Sequence, residues 1–279
     1  MESFSVSGLS IILGRLLPEP HAGLMIGLLF GTKASLSQDF YNALVTTGTL
    51  HIIALSGMNI TIIMDIMAKM IQWRVGKRWA CAISMLIIVW FVWFVGPSST
   101  IVRAAIMGCL SLIAIIFGRQ YIALYSWVIA VTGMVLFHFS WMFEVSFQLS
   151  ALATLGIILF GKSDQKQLVK EVHAEKQPLW STVYQGIKED LHLTLAAQVF
   201  TIPLIMFHFH RVSIISPLAN LAIAWTVPPL TFLGWITVMV GWVSLPLGHL
   251  FALISWVLLE YMIRVIQIVS SIPMASFGW

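Results

Sequence analysis

An arginine and a glutamate, Arg103 and Glu144, stand near the ends of otherwise apolar stretches. An ionisable group at bilayer depth costs about 3 kcal/mol or more, so it marks a function or a partner. Arg103 is placed to meet an incoming anion, with Glu144 holding it in position or repelling other anions. The alternative is a salt bridge between two helices. His51, Ser56, Gly57, Asn59 and Thr61 would put polar groups on several faces of one helix, and Gly57 allows close backbone approach or a local break. Gln148, Ser150, Gln198 and Asn220 either project into an aqueous path or bridge helices by hydrogen bonds. Asp65 and Lys69, and likewise Glu260 and Arg264, stand four residues apart with the acid first, the order that neutralises on one helix face.

His208 and His210 differ by two positions and so point apart on a helix. With no carboxylate or cysteine beside them, they are read as an interfacial cluster and no metal is expected. Cys81 and Cys109 both lie in apolar runs, as small core residues do. No nucleotide-binding motif is present, and no cofactor is expected.

The elements that hold these groups are apolar helices. Hydrophobic residues make up 59% of the 279 and charged residues 9%, against about 25% charged in a soluble domain. Too few polar residues are available to cover a water-facing surface, so the solvent is lipid. The first ten residues carry Glu2 and no basic segment before an apolar one, so no cleavable signal peptide is expected. About 20 apolar residues cross a bilayer as helix. That criterion predicts an all-α polytopic membrane protein of seven or eight spans, at 50–72, 79–95, 99–117, 121–139, 142–160, 191–208, 216–243 and 247–269.

Pro228 and Pro229 fall midway in 216–243, where each removes a helix donor, so this segment is expected to be broken. Residues 1–49 read as an outer-side amphipathic or re-entrant region. Their central apolar stretch, near Gly23, Gly27 and Gly31, is too short to cross, and a helix lying at the surface or re-entering from it fits. The three glycines form a ridge that packs within one chain or between two copies. Residues 50–160 form a five-helix half, 161–190 a polar connector with five lysines against five carboxylates, and 191–279 the C-terminal helices of a single domain over 1–279. Arg74, Lys77, Arg78, Arg119 and the connector lysines fall on alternate loops, which the positive-inside rule makes cytoplasmic. The N-terminus is then outside. Trp73, Trp79, Trp141, Trp180, Trp242 and Trp279 lie near span ends, where indoles anchor at headgroups.

Four blocks carry a resemblance: Thr47-Gly48-Thr49-Leu50-His51-Ile52-Ile53-Ala54-Leu55-Ser56-Gly57; Leu17-Pro18-Glu19-Pro20 with Gly23, Gly27 and Gly31; Phe147-Gln148-Leu149-Ser150 with Leu155-Gly156; and Ser216-Pro217-Leu218-Ala219-Asn220 after Gln198 and Pro203. In order and spacing the chain resembles the ComEC family, the inner-membrane channel of natural transformation. It departs from that pattern at Met58 and Asn59, after the Ser-Gly, and has Glu144 where relatives often have an aspartate. The resemblance implies a channel in the bacterial inner membrane that passes single-stranded DNA into the cytoplasm. His51, Ser56, Gly57, Asn59, Arg103, Glu144, Gln148, Ser150, Gln198 and Asn220 are its path candidates.

It also implies work beside a DNA receptor and a cytoplasmic motor or single-strand-binding protein, in the lipid bilayer and as a possible homo-oligomer. Larger relatives add an OB-type domain and a metallo-β-lactamase-like nuclease domain, neither of which is expected in this chain, so no enzyme activity is expected. Two rival classes also fit parts of the sequence. Broken helices also suit a solute transporter, although the halves show no convincing similarity. Ala54-Leu55-Ser56-Gly57 resembles the nucleophile segment of intramembrane serine proteases, with Ala54 at the first glycine position and His192, His208 or His249 as the later histidine.

Overall fold

The computed structural model describes residues 5–32, 36–53, 71–161, 179–209, 211–213, 215–272 and 276–278. Its helices are α1 (Val6–Leu16), α2 (His21–Phe30), α3 (Gln38–Thr46), α4 (Leu50–Ile53), α5 (Lys77–Val95), α6 (Ser99–Ile116), α7 (Ala123–Phe137), α8 (Val145–Phe160), α9 (Leu179–Phe209), α10 (Ser216–Ala224), α11 (Val227–Val243) and α12 (Leu245–Ser270). A 3-10 turn, Phe139–Phe143, joins α7 to α8. The chain is all-helical as expected, apart from one short two-stranded ribbon. Strand β1 (Arg211–Ser213) pairs antiparallel with β2 (Ser276–Gly278), Ser213 opposite Ser276.

By length and apolar composition α5, α6, α12 and residues 188–208 of α9 can each cross a membrane, and α10 with α11 makes a fifth, bent candidate. The outward surfaces agree. Trp93, Leu136, Phe137, Phe207 and Val243 are each more than three-quarters exposed, a pattern water would penalise and lipid accepts. Helices α7 and α8 are apolar but only 15 and 16 residues long.

The core sits where α1 and α2 insert against the α11–α12 pair. Buried positions on α11 (Val227, Leu230, Thr231, Gly234, Thr237, Val238, Gly241) recur every three to four residues, giving one continuous stripe. Gly241 and Gly248 let α11 and α12 touch backbone to backbone; a Cβ on Gly248 would lie 2.7 Å from the Gly241 Cα. Thr237 and Ser255 hydroxyls bond across the same seam at 3.2 Å. A second cluster joins α5 to α6, and Trp235 links the two, edge-on to Phe30 at 5.7 Å and to Phe91 at 5.9 Å.

All ten residues of α2 are buried. The expectation of a helix lying at the surface therefore fails: with almost no polar side chain on any face, α2 has nothing to offer water or headgroups. Gly23 and Gly27 of its glycine ridge are buried within the chain. Glu19 caps the helix, accepting from the Gly23 amide at 3.1 Å, a favourable place for negative charge. The break expected in 216–243 falls earlier than the prolines. It lies at Trp225–Thr226, with a 50° bend, because Pro228 and Pro229 are tolerated in the first turn of α11, where their missing donors have no helical partner to lose.

Gly156 of the mid-chain block has an equally local explanation. A Cβ there would overlap the Ala196 carbonyl oxygen, so the glycine is what lets α8 lie against α9. Gly156→Ala is expected to cost about 1–3 kcal/mol, read as a lower SDS-unfolding midpoint of the detergent-solubilised protein. An unchanged midpoint would show the contact to be loose.

Candidate functional site

Two blocks whose meeting residues, Gly48 and Ser216, are 168 positions apart in sequence come together at one turn. Thr47 caps the C-terminus of α3, and Gly48 takes φ +69°, a left-handed conformation that costs an L-residue about 1–2 kcal/mol. Thr47 and Thr49 on either side are fully buried, and their hydroxyls bond to each other at 2.8 Å. Thr47 Oγ1 also donates to the Ala43 carbonyl at 2.9 Å, and His51, itself exposed, donates from Nδ1 to the Gly48 carbonyl at 3.1 Å.

Against the bare face of Gly48 lies Ser216, the first residue of α10. A Cβ on Gly48 would come within 2.7 Å of both Ser216 Cβ and Oγ and 3.2 Å of Ser213 Cβ. Gln198, from the middle of α9, donates Nε2 to Ser216 Oγ at 3.2 Å. One turn along α10 from Ser216, Asn220 has a buried Oδ1 with no hydrogen-bond partner among the described residues. The result is a polar seam of hydroxyls and amides from α3, α9 and α10 within an apolar bundle. Ser56, Gly57 and Asn59, which continue the first block, lie outside the described residues, as do Thr61, Asp65, Lys69 and His210.

Arg103 occupies a second polar cluster, between α6 and α8. It is buried, and its Nε and Nη2 donate to Ser150 Oγ at 3.1 and 2.8 Å. Nη1 lies 3.5 Å from Met107 Sδ. The expected pair with Glu144 is not formed. One turn nearer the end of the bundle, Glu144 is exposed and accepts from Ser99 Oγ at 3.0 Å and Ser146 Oγ at 3.5 Å. Among the described residues no carboxylate lies within 4 Å of Arg103. Its charge is held by neutral partners.

Gln148 bonds to the turn that precedes α8. Its Nε2 donates to the Met142 carbonyl at 2.9 Å, and its Oε1 is buried without a partner among the described residues. It lines an open crevice of about 670 Å³ whose walls, including Trp127, Val135, Phe147, Leu152 and Leu204, are otherwise almost wholly apolar.

A third cluster escapes a sequence reading. Buried His21, at the start of α2, donates Nε2 to Glu260 Oε2 at 2.9 Å and stacks on Trp256 at 5.4 Å, while Glu260 Oε1 takes Arg264 Nε at 2.6 Å. The i, i+4 spacing predicts the Glu260–Arg264 half. His21 lies 239 positions away, and its only signal is a histidine beside Pro20 in an apolar run. Because His21 and Glu260 form one unit, Glu260→Leu is expected to lower the melting temperature in detergent, and adding His21→Leu to restore most of the loss. Strictly additive losses would rule the coupling out.

These features define a multi-helix membrane protein with polar clusters enclosed by apolar helices. The competence protein family model matches residues 28–279, and the chain belongs to that family. It is 25% identical over 256 residues, 87% of its own length, to ComE operon protein 3 of Bacillus subtilis (strain 168). The chain spans 30% of that relative's length. No solved structure matches it.

Proposed function

We propose that this chain is the membrane channel part of a DNA-uptake apparatus, passing single-stranded DNA across the bacterial inner membrane into the cytoplasm, with no catalytic step of its own. The observation that carries the reading is the meeting of Gly48 with Ser216 and Gln198, which places a seam of uncharged polar groups inside a lipid-facing bundle. A strand with one charge per nucleotide needs wet, polar lining rather than one tight charged site, and the family membership supplies the cargo class.

In this reading the chain crosses eight times: residues 50–72, α5, α6, α7, α8, α9, the bent α10–α11 pair and α12, with the short helices α7 and α8 crossing where the bilayer thins around them. The ribbon supports the count at the C-terminal end. Pairing of Ser213 with Ser276 requires an even number of crossings between them, met by α10–α11 once and α12 once. Gly48 touches Ser213 and Ser216, so the turn after α3 shares that side. The Ser99–Glu144 bond likewise requires an even number between α6 and α8. The distribution of Arg74, Lys77, Arg78, Arg119 and the lysines of 161–190 makes the opposite side cytoplasmic.

The partners in this reading are single-stranded DNA, a DNA receptor outside and a cytoplasmic motor or single-strand-binding protein that pulls. Deleting the gene in a transformable host and following labelled DNA into the cytoplasm tests the reading. Arrival is expected to stop and to return with the intact chain, whereas undiminished arrival would overturn it.

A further inference from the structure

The end of the bundle formed by the start of α5 carries a concentration of positive charge that the channel reading uses only to set orientation. Gln72 to Trp79 are all exposed. They include Arg74, Lys77 and Arg78 within five positions, and the Arg74 guanidinium lies 5.0 Å over the Trp73 ring. Trp73 and Trp79 are 72% and 69% exposed, so these indoles are displayed rather than packed. The helices α5 and α6 form an antiparallel hairpin across the short Gly96–Ser98 link, which brings Arg119, exposed after the end of α6, to the same end. No aspartate or glutamate occurs between Asp65 and Glu144. Four cations therefore stand together with no acid of their own segment to neutralise them.

What lies beneath the cations identifies their ligand. The helix α5 buries Ala80, Cys81, Ser84, Ile88 and Phe91 against α6. Its opposite face, Trp79, Leu86, Val89, Trp90 and Trp93, is exposed and wholly apolar. The charges thus cap a lipid-facing stripe on the periphery of the bundle, not the rim of an internal polar seam. A nucleic-acid strand bound there would lie against hydrocarbon. A phospholipid would place its acyl chains along the stripe and its phosphate among the cations.

We propose that Arg74, Lys77, Arg78 and Arg119, with Trp73 and Trp79 at the interface, form a binding site for the headgroup of anionic phospholipids. Juxtamembrane cations attract an anionic surface one by one, and indoles at the headgroup level hold the helix at a fixed depth. The site stands independently of what the bundle transports.

The test is retention of phosphatidylglycerol against phosphatidylcholine, offered at equal mole fraction to the full chain in detergent and read by native mass spectrometry. Preference for phosphatidylglycerol is expected, falling about fivefold for each cation replaced by glutamine. It should nearly vanish in Arg74→Gln/Lys77→Gln/Arg78→Gln/Arg119→Gln, yet survive the charge-retaining Arg74→Lys/Lys77→Arg. Lys188→Gln, an exposed cation on α9, should leave it intact. The single variants keep the test decisive if the quadruple one does not fold. Equal retention of both lipids, or a preference that survives the quadruple change, overturns the proposal. So does displacement of phosphatidylglycerol by a short single-stranded oligonucleotide, which would assign the patch to nucleic acid instead.

Discussion

Gly48→Val is expected to abolish DNA uptake and to lower the stability of the detergent-solubilised protein by about 3 kcal/mol or more. Two costs add at this one position. The left-handed backbone, φ +69°, costs an L-residue about 1–2 kcal/mol, and valine is among the worst tolerated there because its branched Cβ crowds the neighbouring carbonyls. The added Cβ would also collide with Ser216 Cβ and Oγ, and overpacking of this kind typically costs about 1–3 kcal/mol.

The damage is not confined to the turn. Ser216 accepts the Gln198 amide and opens the half-helix that carries Asn220, so pushing it away separates α10 from both α9 and the α3–α4 turn. A pair of variants separates the collision from the backbone strain. Gly48→Ala keeps most of the strain and meets the same two Ser216 atoms. Adding Ser216→Gly removes the obstacle and is expected to return part of the stability, while Gly48→Val alone is not rescued by lower temperature. Melting temperature in detergent and transformation frequency are the two readouts. Normal uptake by Gly48→Val would mean that the Gly48–Ser216 contact is not part of the working channel.

The helices were legible because a bilayer imposes a simple rule on sequence. Apolar runs at 79–95, 99–117 and 247–269 agree with α5, α6 and α12 to within two residues, since nothing but a helix satisfies the backbone there. The broken segment was legible from its paired prolines, though the bend lies before them. The role of α2 was not, because a ten-residue apolar run carries no periodicity that separates a surface helix from a core one; only the neighbours α1, α11 and α12 decide. Glycines at 48 and 156 could be singled out as parts of motifs, but what each one faces, Ser216 and Ala196, is a matter of tertiary contact. His21 was invisible for the same reason. The polar side chains show the limit most clearly: Ser150 and Gln148, two positions apart, turn to opposite neighbourhoods, one to Arg103 and the other to an apolar crevice.

Arg103→Met is expected to leave the bundle folded and to slow uptake about 30-fold. The two halves of this expectation come from different terms. In stability, the guanidinium is a buried cation whose partners among the described residues are a single serine hydroxyl and a thioether. Such a charge is not there to hold the fold, because replacing a buried ion by an apolar side chain of similar volume is often neutral or stabilising. Ser150→Ala runs the other way: it strands two donors of a retained charge, about 1–3 kcal/mol each, and should destabilise more than Arg103→Met does. In transport, the proposed channel function would have the cation act on a polyanion through a medium of low dielectric where attraction is little screened. Losing even ~2 kcal/mol of it, at the low end for a desolvated charge contact, corresponds to the ~30-fold change. Arg103→Lys retains the charge but not the fork that grips Ser150, and uptake should fall only modestly. Unfolding midpoints of purified variants, set beside cytoplasmic arrival of labelled DNA in cells producing equal amounts of each, separate the cases. If Arg103→Met unfolds the protein and Arg103→Lys rescues it without any effect on uptake per folded molecule, the arginine is a structural strut between α6 and α8 and the path runs elsewhere.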